Sequence, residues 1–146
     1  MTTLITNGTV LTQNADREVI DEGAVLLRGE KIAAVGTADE LDGEYDADRI
    51  IDAEGGVVIP GLINAHVHVS DILLRGAFDA DRGLYDWLYN VKRPSVIAME
   101  PAEHAVAAEL YCTESIRSGV TTFVEADTEV LWEDWSAIEA KLGVYD

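Results

Sequence analysis

Two histidines, His66 and His68, are the residues of this chain whose type and spacing are best suited to chemistry. They lie in an apolar run, residues 57–69, which predicts a buried strand over residues 62–68. Side chains two positions apart on a strand project from the same face, so the imidazoles would converge near the strand's carboxyl end. Imidazole is a common ligand of zinc and iron. The pair predicts half of a metal site, and the spacing alone leaves two ordinary core or surface histidines as the alternative.

Five other side chains have reactive groups in weaker contexts: Arg75, His104, Cys112, Glu125 and Asp127. His104 lies on the longest predicted helix, where we expect it to face solvent. Cys112 on the same helix is expected to be a small buried residue rather than a nucleophile. We expect Arg75 to pair with a carboxylate for structure, the alternative being a place in the site. Glu125 and Asp127 follow a predicted strand, on the side where catalytic groups gather, and are expected to be solvated charges.

The first part of the chain, residues 1–57, is typical of short strands and turns. Asn7-Gly8 predicts a hairpin turn. A second hairpin is predicted between residues 23–27 and 32–36, around a polar turn that contains glycine. The remaining elements predicted there are a helical turn at residues 38–41 and a strand at residues 49–52. Together these patterns predict a small β-sandwich domain.

The second part, residues 58–146, alternates between strands and helices. Its predicted elements are strands at residues 62–68 and 120–125 and helices at residues 84–91, 101–118 and 132–142. Pro94 is expected to lie beyond the first of these helices, and Gly143 beyond the last. Such alternation implies βαβ units and therefore an α/β fold with a parallel sheet, in which the two strands are neighbours.

Composition excludes several classes of function. The 146 residues include 28 acidic and 10 basic side chains, for a formal net charge of −18. Phosphates would be repelled, which excludes nucleic-acid binding through a basic surface and argues against docking on anionic membranes. A single cysteine rules out an internal disulfide and fits a cytoplasmic protein. The acidic, lysine-poor surface indicates a halophilic archaeon, with an acidic mesophilic protein as the alternative.

The longer motif around the histidines resembles a signature of the amidohydrolase superfamily. Residues 60–68 read Pro-Gly-Leu-Ile-Asn-Ala-His-Val-His. The Leu-Leu-Arg-Gly step at residues 73–76, Trp87-Leu88 and residues 115–123 resemble later steps of the same family, and residues 7–11 and 29–36 resemble its amino-terminal β segment. The resemblance covers nearly the whole chain. It points to the branch that contains cytosine, guanine and adenosine-type deaminases and the triazine hydrolases.

The resemblance implies a metal centre and a (β/α)8 barrel. His66 and His68 would be ligands of one divalent metal ion, zinc or alternatively iron. Such a barrel needs roughly 250 residues, so residues 58–146 would form only its first two strands and their helices, after a β-sandwich composite domain at residues 1–57. The remaining ligands and the acid–base residues are expected beyond residue 146. Trp87 would bind substrate, with core packing as the alternative, and the full-length protein would be a homo-oligomer.

The implied reaction is deamination of an amino-substituted N-heterocycle, of aminopyrimidine, aminopurine or triazine type, by a metal-bound hydroxide. In nucleoside-deaminating members, an apolar residue and a ribose-binding Glu follow the proline of this segment. Here Ser95 and Val96 follow Pro94, which disfavours a ribosyl substrate. There are three alternatives: a methylthioadenosine/S-adenosylhomocysteine-type nucleoside deaminase, a cyclic amide hydrolase, and a truncated product that is inactive alone. Asn64 argues against the cyclic amide hydrolase.

Overall fold

A computed structural model describes residues 1–41, 46–78, 81–126 and 135–146 of the chain. These residues form two units, Met1–Pro60 and Gly61–Asp146. Among the helices of the described segments, none is both long enough and apolar enough to cross a membrane.

The first unit is built on a five-stranded mixed sheet. Its elements are β1 (Thr2–Leu11), β2 (Val19–Arg28), β3 (Lys31–Thr37), α1 (Ala38–Leu41), β4 (Arg49–Asp52) and β5 (Val57–Val58). The strand order is β3-β2-β1-β4, with β5 also paired to β1. Strands β2 and β3 are antiparallel, which confirms the second predicted hairpin. The described strands of this unit form one sheet, so the second layer of the sandwich stays a prediction.

A small apolar core underlies this sheet. Leu4 and Leu26 contribute from neighbouring strands, Ala24 lies beside them, and Leu41 packs on them from α1. Buried and exposed positions alternate only in part along β1 and β2, and the pairing of these two strands is irregular around Gly8. The helical turn predicted at residues 38–41 is confirmed as α1, and its buried residue, Leu41, completes this core.

The hairpin predicted at Asn7-Gly8 is wrong. Strand β1 continues through both residues, and its pairing with β2 shifts register on either side of Gly8. Asn7 has a left-handed φ of 59°, which asparagine tolerates, so it forms a bulge instead of reversing the chain. A side chain at Gly8 would lie 2.8 Å from the carbonyl oxygen of Gly56, which explains why glycine is required there.

The second unit contains the two predicted parallel strands. Its elements are β6 (Leu62–Val67), a 3₁₀ turn (Val69–Leu74), α2 (Leu84–Trp87), a π-helical turn (Leu88–Lys92), α3 (Arg93–Ile97), α4 (Pro101–Arg117), β7 (Val120–Glu125) and α5 (Ser136–Tyr145). Strands β6 and β7 are parallel neighbours, with Leu62 opposite Val120 and Val67 opposite Glu125. The expected pairing is thus confirmed. The predicted burial of the strand is wrong: no residue of β6 is buried, and Leu62 and Ile63 are exposed, because among the described residues β6 pairs only with β7.

Helix α4 forms where its end signals predict it. Glu100 and Glu103 form a reciprocal capping box, and Pro101 occupies the first turn, where its missing N–H costs nothing. Gly119 ends the helix with a left-handed φ of 77°. The turn at Gly119 then aligns β7, because the Gly119 carbonyl accepts a hydrogen bond from the Leu62 N–H at 2.8 Å.

Two predicted helix ends are wrong. The helical path does not stop before Pro94 but continues as α3 after a π-helical turn. The wider turn accommodates a proline that lacks an N–H and whose ring crowds the preceding turn. Helix α5 likewise continues through Gly143, since Tyr145 anchors its last turn on Glu125. Residues 132–134, where this helix was predicted to begin, lie outside the described residues.

Candidate metal centre and the adjoining cleft

His66 and His68 are brought together at the carboxyl end of β6. Their ring centroids are 5.0 Å apart and their planes are perpendicular. Two imidazoles on one tetrahedral zinc, with bonds of about 2.0–2.1 Å, would place the ring centroids about 5 Å apart. The donor pair therefore fits a divalent metal ion. In the described segments no group of three or more His, Cys, Asp or Glu side chains is arranged to hold a metal.

Hydrogen bonds hold the backbone on both sides of the pair. Asn64 donates from Nδ2 to the Tyr111 hydroxyl at 2.9 Å and accepts the His66 backbone N–H at 3.3 Å. Beyond the strand, the His68 carbonyl accepts the Asp71 N–H at 3.2 Å. The Tyr111 ring also meets Phe123 of β7 edge-on at 4.9 Å. Asn64 thereby links the histidine strand to both α4 and β7.

The prediction that His104 faces solvent is wrong. The side chain is buried, and its Nδ1 is 2.8 Å from the Ser70 hydroxyl. Ala107 and Ala108 follow at the i+3 and i+4 positions and are also buried, so this face of α4 lies against the 3₁₀ turn. Those two small residues were a signal in the sequence that His104 shares a packed face.

The prediction that Glu125 is a solvated charge is also wrong. Its carboxylate accepts a hydrogen bond from Lys141 Nζ at 2.6 Å and another from the Tyr145 hydroxyl at 2.9 Å. The Lys141 side chain is 2% exposed and that of Glu125 is 16% exposed. Asp127, predicted to be solvated in the same way, lies outside the described residues.

A small cleft lies beside His68. It is lined by His68, Val69, Ser70, Asp71, Lys92, Val96 and Glu125. Lys92 Nζ lies 3.8 Å from Asp71 Oδ1, and the Lys92 side chain is 3% exposed. Val96 is buried one helical turn further on and offers no hydrogen-bonding group. Sequence analysis did not identify Lys92 or Asp71, because no local pattern places a lysine in an interior.

Arg75 is paired as expected, whereas Cys112 is half-buried and not buried as predicted. Arg75 donates two hydrogen bonds to the Glu114 carboxylate, at 2.6 and 3.0 Å, which confirms the expected pairing. These hydrogen bonds lower the pKa of Glu114 and raise that of Arg75. Burial raises the pKa of the Cys112 thiol, and the Glu125 carboxylate raises it further, so the reactive thiolate is disfavoured.

Trp87 is 36% exposed at the end of α2 and is not among the residues that line the cleft beside His68. Its assignment as a substrate-binding residue stays a prediction.

Comparison with known proteins decides the family. The sequence profile described as "Amidohydrolase family" matches residues 57–134, more than half of the chain and all of β6 and β7. The chain belongs to the amidohydrolase family. A second profile, the imidazolonepropionase-like composite domain of bacteria, matches residues 23–50 of the first unit.

Relatives of this amidohydrolase include a 5-methylthioadenosine/S-adenosylhomocysteine deaminase from Syntrophobacter fumaroxidans. It is 42% identical over 122 residues, which are 84% of this chain and 28% of the relative. A similar protein from Syntrophus aciditrophicus is 37% identical over 124 residues, again 84% of this chain and 28% of the relative. The chain thus spans less than a third of the length of these relatives.

Solved structures of the family resemble the whole fold. An adenosine deaminase from Xanthomonas campestris with bound zinc has a TM-score of 0.84 and 27% identity, over 98% of this chain and 31% of that protein. An atrazine chlorohydrolase from Arthrobacter aurescens in complex with zinc has a TM-score of 0.74 and 25% identity, over 97% of this chain and 33% of that protein. These similarities confirm the predicted mixed α/β fold.

Proposed function

We propose that this chain supplies part of the catalytic centre of a metal-dependent hydrolase that deaminates an amino-substituted N-heterocycle. The observation that carries the proposal is the convergence of His66 and His68 at the end of β6, at a separation that suits one metal ion. Family membership and the zinc in two similar structures support zinc, with iron as the alternative. When bound, the metal ion supplies Lewis-acid activation of water.

The residues of this chain would bind and orient the metal ion, but they would not carry out the reaction by themselves. His66 and His68 would bind the metal ion, while Asn64 and the turn at residues 68–71 fix the backbone that carries them. A catalytic site of this kind usually has three protein ligands and an acid–base group. The missing ligands and the acid–base group would come from residues outside this chain, in the continuation of a (β/α)8 barrel.

Two substrate classes compete. Val96, the second residue after Pro94, favours a free heterocycle of aminopyrimidine, aminopurine or triazine type, because its apolar side chain cannot accept hydrogen bonds from a ribose. The second candidate is an adenosine-type nucleoside, which the names of the relatives in Syntrophobacter and Syntrophus support. Both reactions hydrolyse a carbon–nitrogen bond and release ammonia.

The test measures metal content and ammonia release in the full-length protein that contains this chain. Substrates are cytosine, guanine, adenine, melamine, adenosine and 5-methylthioadenosine. We expect His66→Ala and His68→Ala each to weaken zinc binding by more than about 100-fold. Loss of a residue that only hydrogen-bonds to a metal ligand typically weakens binding by about 10–100-fold, and loss of a ligand itself should cost more. Cys112→Ser is the matched control, and it should keep both metal and rate.

A double His66→Ala/His68→Ala variant that keeps the metal content and rate of the wild type would refute the ligand assignment. Residues 1–146 alone should bind zinc weakly and show no turnover, because two imidazoles leave the coordination shell half filled. Robust turnover by residues 1–146 would show that the active site lies elsewhere in the chain.

We also propose that the acidic surface is an adaptation to high salt. Of the three lysines, Lys92 and Lys141 are buried and only Lys31 is exposed, so the surface is nearly free of ammonium groups. Carboxylates at this density repel one another until salt screens them. The melting temperature should therefore rise from low to molar salt, and a flat or falling melting temperature would exclude the adaptation.

A further inference from the structure

Strand β6 contains an irregularity directly at the candidate metal ligands. Asn64 lies opposite Phe123 of β7. Val67 lies opposite Glu125, so three steps along β6 match two steps along β7. One extra residue on one strand of a pair is a β-bulge, which here falls at residues 65–66. Bulges are rare between parallel strands and frequent next to active sites, where they redirect side chains.

The bulge changes the face of the sheet on which the side chains of β6 lie. On a regular strand Asn64, His66 and His68 would share one face. Asn64 lies on the α4 side, because its Nδ2 donates a hydrogen bond to the Tyr111 hydroxyl. The two half-buried positions of β6 are Asn64 and Val67, three apart instead of two, so Val67 shares this helix-covered side. The two histidines therefore lie on the opposite side, where their rings converge.

The side chain of Asn64 joins the bulge to α4. A bulge disrupts the hydrogen-bond ladder locally, and in this one the His66 N–H donates to Asn64 Oδ1 at 3.3 Å. The other end of the same amide donates to the Tyr111 hydroxyl at 2.9 Å. The Tyr111 ring is fixed in turn by its edge-on contact with Phe123, with the ring centroids 4.9 Å apart. Asparagine suits this position because its side chain carries both an acceptor and a donor.

We infer that Asn64 is a positioning residue that holds the bulge and thereby directs both histidines to one metal ion. The inference rests on the ligand assignment in the proposed function, and it adds the residue that sets the geometry of the two ligands. Without the acceptor at Asn64, the strand can return to regular alternation, which would turn His66 toward α4. Tyr111 contributes by anchoring the Asn64 amide.

The test measures zinc affinity in the full-length protein that contains this chain. Asn64→Leu keeps the approximate side-chain size but removes both hydrogen bonds. It should weaken zinc binding by about 10-fold or more, the usual effect of losing a group that orients a metal ligand. Asn64→Asp keeps an acceptor for the His66 N–H and should restore most of the affinity. Tyr111→Phe removes only the anchor, so its affinity should lie between those of the two Asn64 variants.

Two further measurements separate positioning from a general loss of stability. The visible absorption of bound Co²⁺ reports ligand geometry and should change in Asn64→Leu. Leu26→Ala opens a cavity in the core of the other unit, so it should lower stability while zinc affinity and Co²⁺ absorption stay unchanged. In the metal-free protein, amide hydrogen exchange over residues 62–68 should become faster in Asn64→Leu and not in Asn64→Asp.

The outcomes distinguish this inference from the proposed function. If the wild type deaminates a substrate but Asn64→Leu keeps its zinc affinity, the inference is overturned and the proposed function stands. An equal loss of zinc affinity in Asn64→Leu and Asn64→Asp, or in Asn64→Leu and Leu26→Ala, also overturns it. If no substrate is deaminated but Asn64→Asp restores the zinc affinity that Asn64→Leu loses, the proposed function fails and the inference holds. A wild-type protein that binds no zinc refutes both.

Discussion

Removal of the Lys141 ammonium should destabilise the protein strongly. In Lys141→Met the side-chain volume is nearly kept, but the Glu125 carboxylate loses its partner at 2.6 Å and, among the described residues, keeps the hydrogen bond from the Tyr145 hydroxyl. Breaking one side of a buried ion pair typically costs about 3–5 kcal/mol. Glu125 is 16% exposed and so partly hydrated, which places the expected loss near the lower end, at about 3 kcal/mol. Urea denaturation followed by circular dichroism measures this loss.

A double variant separates the charge from the packing. In Lys141→Met/Glu125→Gln both members of this pair lose their charge, and the amide oxygen can still accept a hydrogen bond from the Tyr145 hydroxyl. The double variant should therefore be more stable than Lys141→Met by about 1 kcal/mol or more, within the range of coupling energies for residues in contact. Lys31→Met, at an exposed position, should change stability by less than about 0.5 kcal/mol. If Lys141→Met costs no more than Lys31→Met, the buried ion pair does not exist in the protein.

Two further predictions concern local packing and pH. A Cβ at Gly61 would collide with the Thr121 side chain, so Gly61→Ala should lower stability by about 1–3 kcal/mol. At Gly83 nothing lies within 4 Å of an added Cβ, so Gly83→Ala should be tolerated. Equal losses of stability for the two variants in thermal melts would contradict the close approach of Gly61 to Thr121. Hydrogen bonds from the Thr2 N–H and hydroxyl lower the pKa of Asp48 below its ordinary value of 3.8. Ionised Asp48 therefore stabilises the folded state fully above its ordinary pKa, and this stabilisation is lost as the pH falls through the lower pKa of the folded state. The stability difference between the wild type and Asp48→Asn should therefore vanish in acid, and a constant difference would exclude this role.

The elements that were predicted well are those with strong local signals. Helix α4 has a proline in its first turn and a glycine after its end, and strands β6 and β7 form where the apolar and β-branched runs predict strands, although neither contains a buried residue. The errors occurred where one local signal was overridden by distant contacts. Asn7-Gly8 became a bulge because β1 pairs on both sides, with β2 and with β4 and β5. Pro94 remained within a helical path because the π-helical turn before it provides the room.

In the candidate site, too, local relations could be predicted and distant contacts could not. His66 and His68 could be predicted as a pair because their relation is local, two positions on one strand. His104 and Ser70 are 34 positions apart, and Lys141 and Glu125 are 16 apart, so their contacts depend on how α4 and α5 pack around the strands. No periodicity in a single sequence encodes which carboxylate will meet which lysine. The acidic composition also favoured the prediction that Glu125 is solvated. The average charge of a surface, however, carries no information about one buried carboxylate.

Two of the three lysines of this chain are buried, whereas Arg75 and Arg82 form ion pairs at exposed positions. Arg75 and Arg82 form their ion pairs at exposed positions, where a planar guanidinium can bind a carboxylate while remaining hydrated. Both interior ammonium groups belong to lysines, at positions where a compact point charge on a flexible chain fits between packed elements. Each of the two buried lysines pairs with a carboxylate, Lys92 with Asp71 and Lys141 with Glu125, in a chain whose net charge is −18. Lys92 and Lys141 are accordingly the two positions where replacement by arginine should not be conservative.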